Sequence, residues 1–366
     1  MQDVSAASFF LGIDAHAEHC TFCLIDQRGE IILRQDVPTT VRHLRAAARK
    51  LPTGTWAMVE ACAVSVFVKE ALDDVLVRVI VCETRENRLV YKSDDKSDDK
   101  DAWRLARLLR FGEFKEVHVP TRPRQEIREL MYAYQRIVGD VVRTKNRLHA
   151  MFRKNGIRIT DTAYGDGRHD FLQRLNRSGL KAIFEATYAV LDAAEKAKDS
   201  LDHALRARLS HTKEFKLLKT IPGVGSVLAA IMVAVIDQPE RFPDKRHLWS
   251  YAGIGASERS SAVSKSKVKG KDKEKKKTPV KKIRGMFHGN RLLKYAAMMA
   301  AQNAIRGDNR FARLYNANVE GNKDPDKERK TAAMAKKSVA RGILATALAM
   351  WKAGTAYRED KQVKVI

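Results

Sequence analysis

Short apolar runs alternate with polar breaks along the first hundred residues. Phe9 to Asp14 (FFLGID) is an apolar run that ends in an acid. Cys20 to Asp26 alternates as a strand, Gly29 supplies a turn, and Glu30 to Gln35 (EIILRQ) is a third strand, so the three predict an antiparallel meander. Val41 to Lys50 reads as a helix. Thr55 to Glu60 (TWAMVE) is a fourth strand, again ending in an acid. A helix from Val64 to Leu76, a fifth strand from Val77 to Cys82 and a helix ending near Leu109 complete the segment. Three strands, helix, strand, helix, strand, helix is the order of the ribonuclease H fold, which gives an α/β N-terminal domain over residues 1–118.

Beyond it the period changes to that of helices. Pro123 to Asn155 is one long helical pattern with apolar positions at Ile127, Leu130, Met131, Ile137, Val141, Leu148 and Met151. A second pattern runs from Lys181 to Ser210. Such a pair suits an antiparallel helical hairpin, a dimer-forming coiled coil or an internal bundle. This is the expected helical, coiled-coil middle, residues 119–218. From Thr220 the character changes again, and Ile221 to Ile236 reads as a buried helix with a tight turn at Pro222, Gly223 and Gly225. Gly289 to Ala304 and Thr331 to Tyr357 are two further helices, the latter with Ala335, Val339, Ile343, Ala347, Met350 and Trp351 on one face. Residues 219–366 are therefore expected as a mainly helical C-terminal domain.

Charge narrows the function. Lysine and arginine number 69 against 44 aspartates and glutamates, a formal net charge of +25 over 366 residues, which points to nucleic acid. No apolar run reaches the ~18 residues of a spanning helix. No basic region precedes the first apolar segment, so a signal peptide is not expected. Cys20 and Cys23 lack a second ligand pair at zinc-finger distance, and a cytoplasmic, reducing setting is expected for the four cysteines. The long first helix carries nine Lys or Arg against three acids over residues 122–154, with Arg143, Lys145 and Arg147 as candidate nucleic-acid contacts. Ser264 to Ile283 holds ten lysines and reads as an unfolded loop. Of these, Lys267, Lys269, Lys271, Lys275, Lys276 and Lys277 are candidates for sequence-independent phosphate contacts. In IPGVG (221–225), Gly223 and Gly225 suit either a phosphate-binding backbone hairpin or a plain helix-to-helix turn.

Against this basic background, Asp94, Asp95, Asp98, Asp99 and Asp101 crowd eight positions. In the helix that follows, Ala102, Leu105, Ala106 and Leu109 form the core face. One turn back, that face reaches Asp98 and Asp101, which are therefore expected to point toward the sheet. Two carboxylates facing inward are costly without a cation between them. Asp14 and Glu60 end strands that neighbour each other in a ribonuclease H arrangement. Four such oxygen donors suit two Mg²⁺ ions about 4 Å apart, activating a nucleophile and stabilising a leaving oxygen at a phosphodiester.

KSDDKDAWRLA (96–106) resembles the K-[ST]-D-x-x-D-A-x-x-[IL]-A motif of the DEDD transposases of bacterial insertion sequences, relatives of the pilin-gene invertases and known as bridge-RNA-guided recombinases. LGID (11–14) and MVEA (58–61) fall where that family carries its other acids. IPGVG, RFPDKRHLWSYAGIG (241–255), GNRLLKYAAMMAA (289–301) and KKSVARGILATALAMWKAGTAY (336–357) resemble its second domain in order. The chain departs from the family at Ala17, where a lysine is usual, and at Cys62-Ala63, where Thr-Gly is usual. The resemblance implies a Holliday-junction-resolvase-like catalytic domain with Asp14, Glu60, Asp98 and Asp101 as metal ligands, and a C-terminal transposase domain. It also implies a serine nucleophile, which counting from Gly253 in GIGASERSSAVSK places at Ser261, with Ser260 the neighbouring alternative. Donor and target DNA, a noncoding guide RNA and a homo-oligomer, dimer or tetramer, are the implied partners. A nucleoid-associated location in a bacterial cytoplasm follows. The rival readings are a metal-only junction resolvase or nuclease, and a non-catalytic RNA-binding protein.

Overall fold

The computed structural model describes residues 3–83, 98–175, 178–259, 282–285, 289–320 and 328–359. They belong to two compact units, Met1–Pro120 and Thr121–Ile366.

The first unit contains β1 (Phe9–Ala15), β2 (His19–Ile25), β3 (Ile31–Pro38), α1 (Val41–Ala48), β4 (Thr55–Glu60), α2 (Ser65–Leu72), β5 (Arg78–Glu83), α3 (Asp98–Phe111) and β6 (Lys115–Glu116). The strands form one sheet in the order β3-β2-β1-β4-β5-β6. β1, β2 and β3 make the antiparallel meander, while β4 and β5 add parallel to β1. β6, two residues long, closes the edge antiparallel to β5. This mixed α/β order is consistent with a ribonuclease H-like domain. Because side chains alternate across a strand, each face of the sheet has its own core. Leu11, Ile13, Ala57, Val59, Val79 and Val81 pack with Leu44 of α1 and Val68 and Leu72 of α2. Phe10, Trp56, Met58, Ile80 and Cys82 pack on the other face with Ala102, Leu105, Ala106 and Leu109 of α3. The core face expected for α3 is thus the face it buries.

The second unit is helical. It runs through α4 (Arg122–Lys154), a 3-10 turn (Asp161–Tyr164), α5 (Arg168–Gln173), α6 (Ser178–Leu209), α7 (Lys213–Leu218), α8 (Ser226–Ile236), a second 3-10 turn (Pro239–Arg241) and α9 (Lys245–Tyr251). A β-hairpin of β7 (Ala256–Arg259) and β8 (Lys282–Gly285) follows, then α10 (Arg291–Ala304), α11 (Arg310–Glu320) and α12 (Glu328–Ala353). α4 and α6 pair antiparallel within the chain. Phe152 meets Phe184 at 4.4 Å between ring centroids, Lys145 meets Glu195 at 2.7 Å, and Glu126 meets Arg208 at 3.5 Å. One end of the pair holds a core of its own with Leu148, Phe152, Phe184 and Tyr188. The other end supplies Ile127, Met131, Leu205 and Leu209 to the larger core around α8, α10 and α12. α8 is apolar all round and buried from Leu228 to Ile236, as expected of a helix at the centre of a bundle. The expectation of an unfolded loop extending to Ile283 is corrected at its end. Lys282 and Ile283 lie in β8, where pairing with β7 satisfies their backbone groups. Among the described residues no helix is long and apolar enough to cross a membrane.

Candidate active site

Asp14 is the sixth residue of β1, and Glu60 ends β4. The parallel register pairs Gly12 with Met58 and Ile13 with Val59, so Asp14 and Glu60 stand one step beyond the last pair on adjacent strands. Parallel strands lie about 4.8 Å apart, which makes the two acids neighbours. Asp14 shares its face with Phe10 and Gly12, and Glu60 shares its face with Trp56 and Met58. Both acids therefore stand on the face that α3 covers.

The row continues across the sheet. Thr21 is opposite Asp14, Asp36 is opposite Thr21, and Cys82 is opposite Glu60. Thr21 is buried and its hydroxyl donates to Asp36 at 2.7 Å. His16 Nε2 lies 3.2 Å from Asp14 Oδ2, whose side chain is only 16% exposed. Cys82 is buried against this row. Burial, followed by the negative charges of Glu60 and Glu83, pushes its thiol up to about 12. Cys62 reaches back from the β4–α2 loop, its thiol donating to the Ala15 carbonyl at 3.6 Å.

Gly12 fixes how closely α3 approaches. A Cβ there would stand 1.8 Å from the Ala102 carbonyl oxygen and 2.5 Å from the Ala106 nitrogen. A glycine inside a strand is the sequence signal for such an approach; it marks a positioning residue that the acids themselves do not reveal. α3 runs antiparallel to β1. Its last turn reaches the start of β1, where Arg110 Nε donates to the Gln27 carbonyl at 2.9 Å. Its first turn, which begins at Asp98, therefore lies toward the end of the sheet that carries Asp14 and Glu60. The Asp98 side chain lies outside the described residues. Asp101 is 42% exposed and accepts a hydrogen bond from Arg104 at 2.7 Å. Among the described residues no group of three or more His, Cys, Asp or Glu side chains stands close enough to hold a metal ion.

The other candidates belong to the second unit. Gly223 has φ +83°, and a Cβ there would lie 2.3 Å from the Ala300 carbonyl oxygen, so this glycine lets the turn pack on α10. Gly225 caps α8 in extended conformation with open space beside it. On α4, Arg143 pairs with Asp140, and Lys145 is held between Glu195 and the Tyr164 ring. Arg147 is exposed. Ser260, Ser261 and the lysines at 267, 269, 271, 275, 276 and 277 lie outside the described residues, following β7 in the chain.

A sheet consistent with a ribonuclease H-like domain, carrying paired strand-end acids and joined to a strongly basic helical unit, suits an enzyme that acts on nucleic acid. Two family models match the chain. One describes a transposase, the DEDD transposase of IS110 type, over residues 11–155; the other describes the transposase IS116/IS110/IS902 family over residues 215–316. The chain belongs to this IS110/IS116/IS902 type of insertion-sequence transposase. No curated protein matches it.

Proposed function

We propose that this transposase cuts and rejoins DNA strands at a divalent-metal site formed by Asp14, Glu60, Asp98 and Asp101, with Ser261 as the nucleophile. The observation that carries the reading is the placement of Asp14 and Glu60 side by side, on the face and toward the sheet end where α3 begins. Their donor set fits the group: carboxylate oxygens suit a hard ion such as Mg²⁺, two of which suit four acids. When bound, such ions supply charge stabilisation at the phosphodiester and lower the pKa of the attacking group.

The chain's own residues divide the remaining work. Asp14 and Glu60 supply oxygens from a rigid sheet. His16, donating from Nε2, fixes the Asp14 carboxylate, the usual duty of a hydrogen-bonding partner behind a ligand. Arg104 holds Asp101 until a cation competes for it. The Ser261 hydroxyl attacks phosphorus, forming one O–P bond as the strand's O–P bond breaks, which conserves the energy in a phosphoserine link. Ser260 is the alternative one residue earlier.

Partners follow from the same reading. The +25 charge suits both DNA and a noncoding guide RNA. Ile183 and Val190 on α6 and Val142 on α4 are more than half exposed, which supports use of the helical middle, residues 119–218, as a coiled-coil contact between protomers of a dimer or tetramer. Through such a contact the acids of one protomer meet the serine of another, near the nucleoid of a bacterial cytoplasm.

Denaturing gels of reactions on labelled insertion-sequence ends test the nucleophile. The wild type should leave protein covalently attached to a cleaved end, and Ser261→Ala should remove that adduct. Loss in Ser260→Ala alone would move the role to Ser260. Metal-dependent nicks with no adduct in any variant would make the chain a metal-only resolvase.

A further inference from the structure

Three cations converge in the second unit beside the base of the β7–β8 hairpin. Lys337 and Arg341 are four residues apart on α12 and so share a face. Lys294 lies in the first turns of α10, which packs on α12. Arg341 is half-buried, and its Nε donates to the Ile254 carbonyl at 2.7 Å, while Trp249 Nε1 donates to the Arg341 carbonyl at 2.9 Å. These bonds tie α12 to the loop Gly253–Gly255 from which β7 departs. The far side of the hairpin returns to the same place. The Asn290 amide donates to the Tyr251 carbonyl at 2.7 Å, and Gly289 fits against Gly253 where a Cβ would meet its nitrogen at 2.4 Å.

Among the described residues no carboxylate pairs with Lys294, Lys337 or Arg341. The strain is visible in the lysine. Burial, then the charges of Arg341 and Lys294, hold the Lys337 ammonium below the ordinary lysine range, and burial does the same to Arg341. The half-buried Arg168 and Lys69, by contrast, each hold a carboxylate: Arg168 pairs with Asp192 at 2.6 Å and Lys69 with Asp73 at 2.8 Å. Like charges gathered without a counter-ion destabilise a fold unless an anion is brought to them.

We propose that Lys294, Lys337 and Arg341 form a binding site for a backbone phosphate of a DNA strand at the base of the hairpin. Two lysines supply mobile point charges, and Arg341, held by the Ile254 carbonyl, supplies a fixed one. The position matters because Ser260 and Ser261 follow β7 directly in the chain. A phosphate held here aligns the strand that enters the hairpin. This consequence rests on the proposed serine chemistry; the anion site itself does not.

The test uses the full chain, a fluorescein-labelled duplex of arbitrary sequence, and inorganic sulfate. Lys337→Gln and Lys294→Gln are compared with Lys196→Gln, an exposed lysine on α6. Loss of one charge-assisted phosphate contact should weaken DNA binding about tenfold at low salt in Lys337→Gln and make the salt dependence shallower by up to about one unit of log–log slope. Melting in sulfate-free, low-salt buffer adds a readout that a structural lysine would not give. Lys337→Gln should melt at or above the wild-type temperature, and sulfate should raise the wild type more than the variant. Equal weakening by Lys337→Gln and Lys196→Gln, or an equal sulfate response in Lys337→Gln and wild type, would overturn the proposal. If Lys337→Gln does not fold, Lys294→Gln, at an exposed position, carries the test, and DNA binding equal to that of Lys196→Gln overturns the proposal. A wild type that forms no covalent adduct, with Lys337→Gln still weakened, would sink the serine reading and leave the phosphate site standing.

Discussion

Gly12→Ala is the sharpest small perturbation the first unit offers. The new methyl would sit 1.8 Å from the Ala102 carbonyl oxygen and 2.9 Å from its carbon, where ordinary contact begins at 3.4 Å. The obstruction is helix backbone, which has no rotamer to turn aside, so α3 must retreat from β1 by about 1.6 Å. Gly12 sits in ordinary strand conformation, so the cost is overpacking and not backbone strain. It falls at the top of the usual range for overpacking, about 3 kcal/mol. For a unit of about 120 residues that corresponds to a melting temperature lower by roughly 12 °C. Activity should suffer more than stability. A shift near 1 Å in a reacting group can cost about 100-fold, and α3 carries Asp98 and Asp101. The assay is thermal melting followed by circular dichroism, paired with strand cleavage measured well below the lowered midpoint. An alanine variant that melts and cleaves like the wild type would refute the close packing of α3 on β1 and the argument built on it.

Other outcomes follow from single contacts. His16→Ala, which removes the partner of Asp14, should weaken Mg²⁺ affinity about tenfold with little change in melting, as titration calorimetry can read. In native protein at mildly alkaline pH, iodoacetamide should label exposed Cys62 and spare Cys82, whose thiol is held up at about 12; Glu60→Gln removes one cause and should lower that value. Asp244 caps α9 by accepting from the Arg246 and His247 amides at 2.7 and 3.0 Å, and its carboxyl is lowered to about 2, chiefly by the His247 side chain. A folded value below the unfolded one stabilises above about pH 4 and fades as pH falls toward 2, so Asp244→Ala should lower the melting temperature at neutral pH and narrow its gap from wild type across that window. Gly223→Ala should destabilise the second unit, since φ +83° and the Ala300 carbonyl at 2.3 Å both oppose a side chain.

Much of the first unit is written in its periodicity. FFLGID, TWAMVE and VRVIVC are bounded apolar runs, and each became a strand within a residue or two of its expected ends. The α3 face was legible because Ala102, Leu105, Ala106 and Leu109 repeat at helical spacing beside polar neighbours. β6 was not, because two charged residues, Lys115 and Glu116, carry no period; only the edge of β5 makes them a strand. α5, α7 and α11 are short and take their form from packing, as Phe171, Phe215 and Phe311 show by their burial. Of the candidate site, the adjacency of Asp14 and Glu60 was legible, because sheet register converts chain position at strand ends into neighbourhood. The Thr21–Asp36 pair and the Arg341–Ile254 contact join residues far apart in the chain and depend on geometry that no spacing encodes.

The central claim is that Asp14, Glu60, Asp98 and Asp101 act together on one metal-bound phosphodiester. Mg²⁺-dependent cleavage of labelled insertion-sequence DNA, measured for each acid changed to its amide, tests it most directly. Asp14→Asn, Glu60→Gln, Asp98→Asn and Asp101→Asn should each lose at least about 100-fold in cleavage while melting like the wild type, and Asp94→Asn and Asp95→Asn should cleave nearly normally. Full cleavage by Glu60→Gln or Asp101→Asn, or loss confined to Asp94→Asn, would contradict the account.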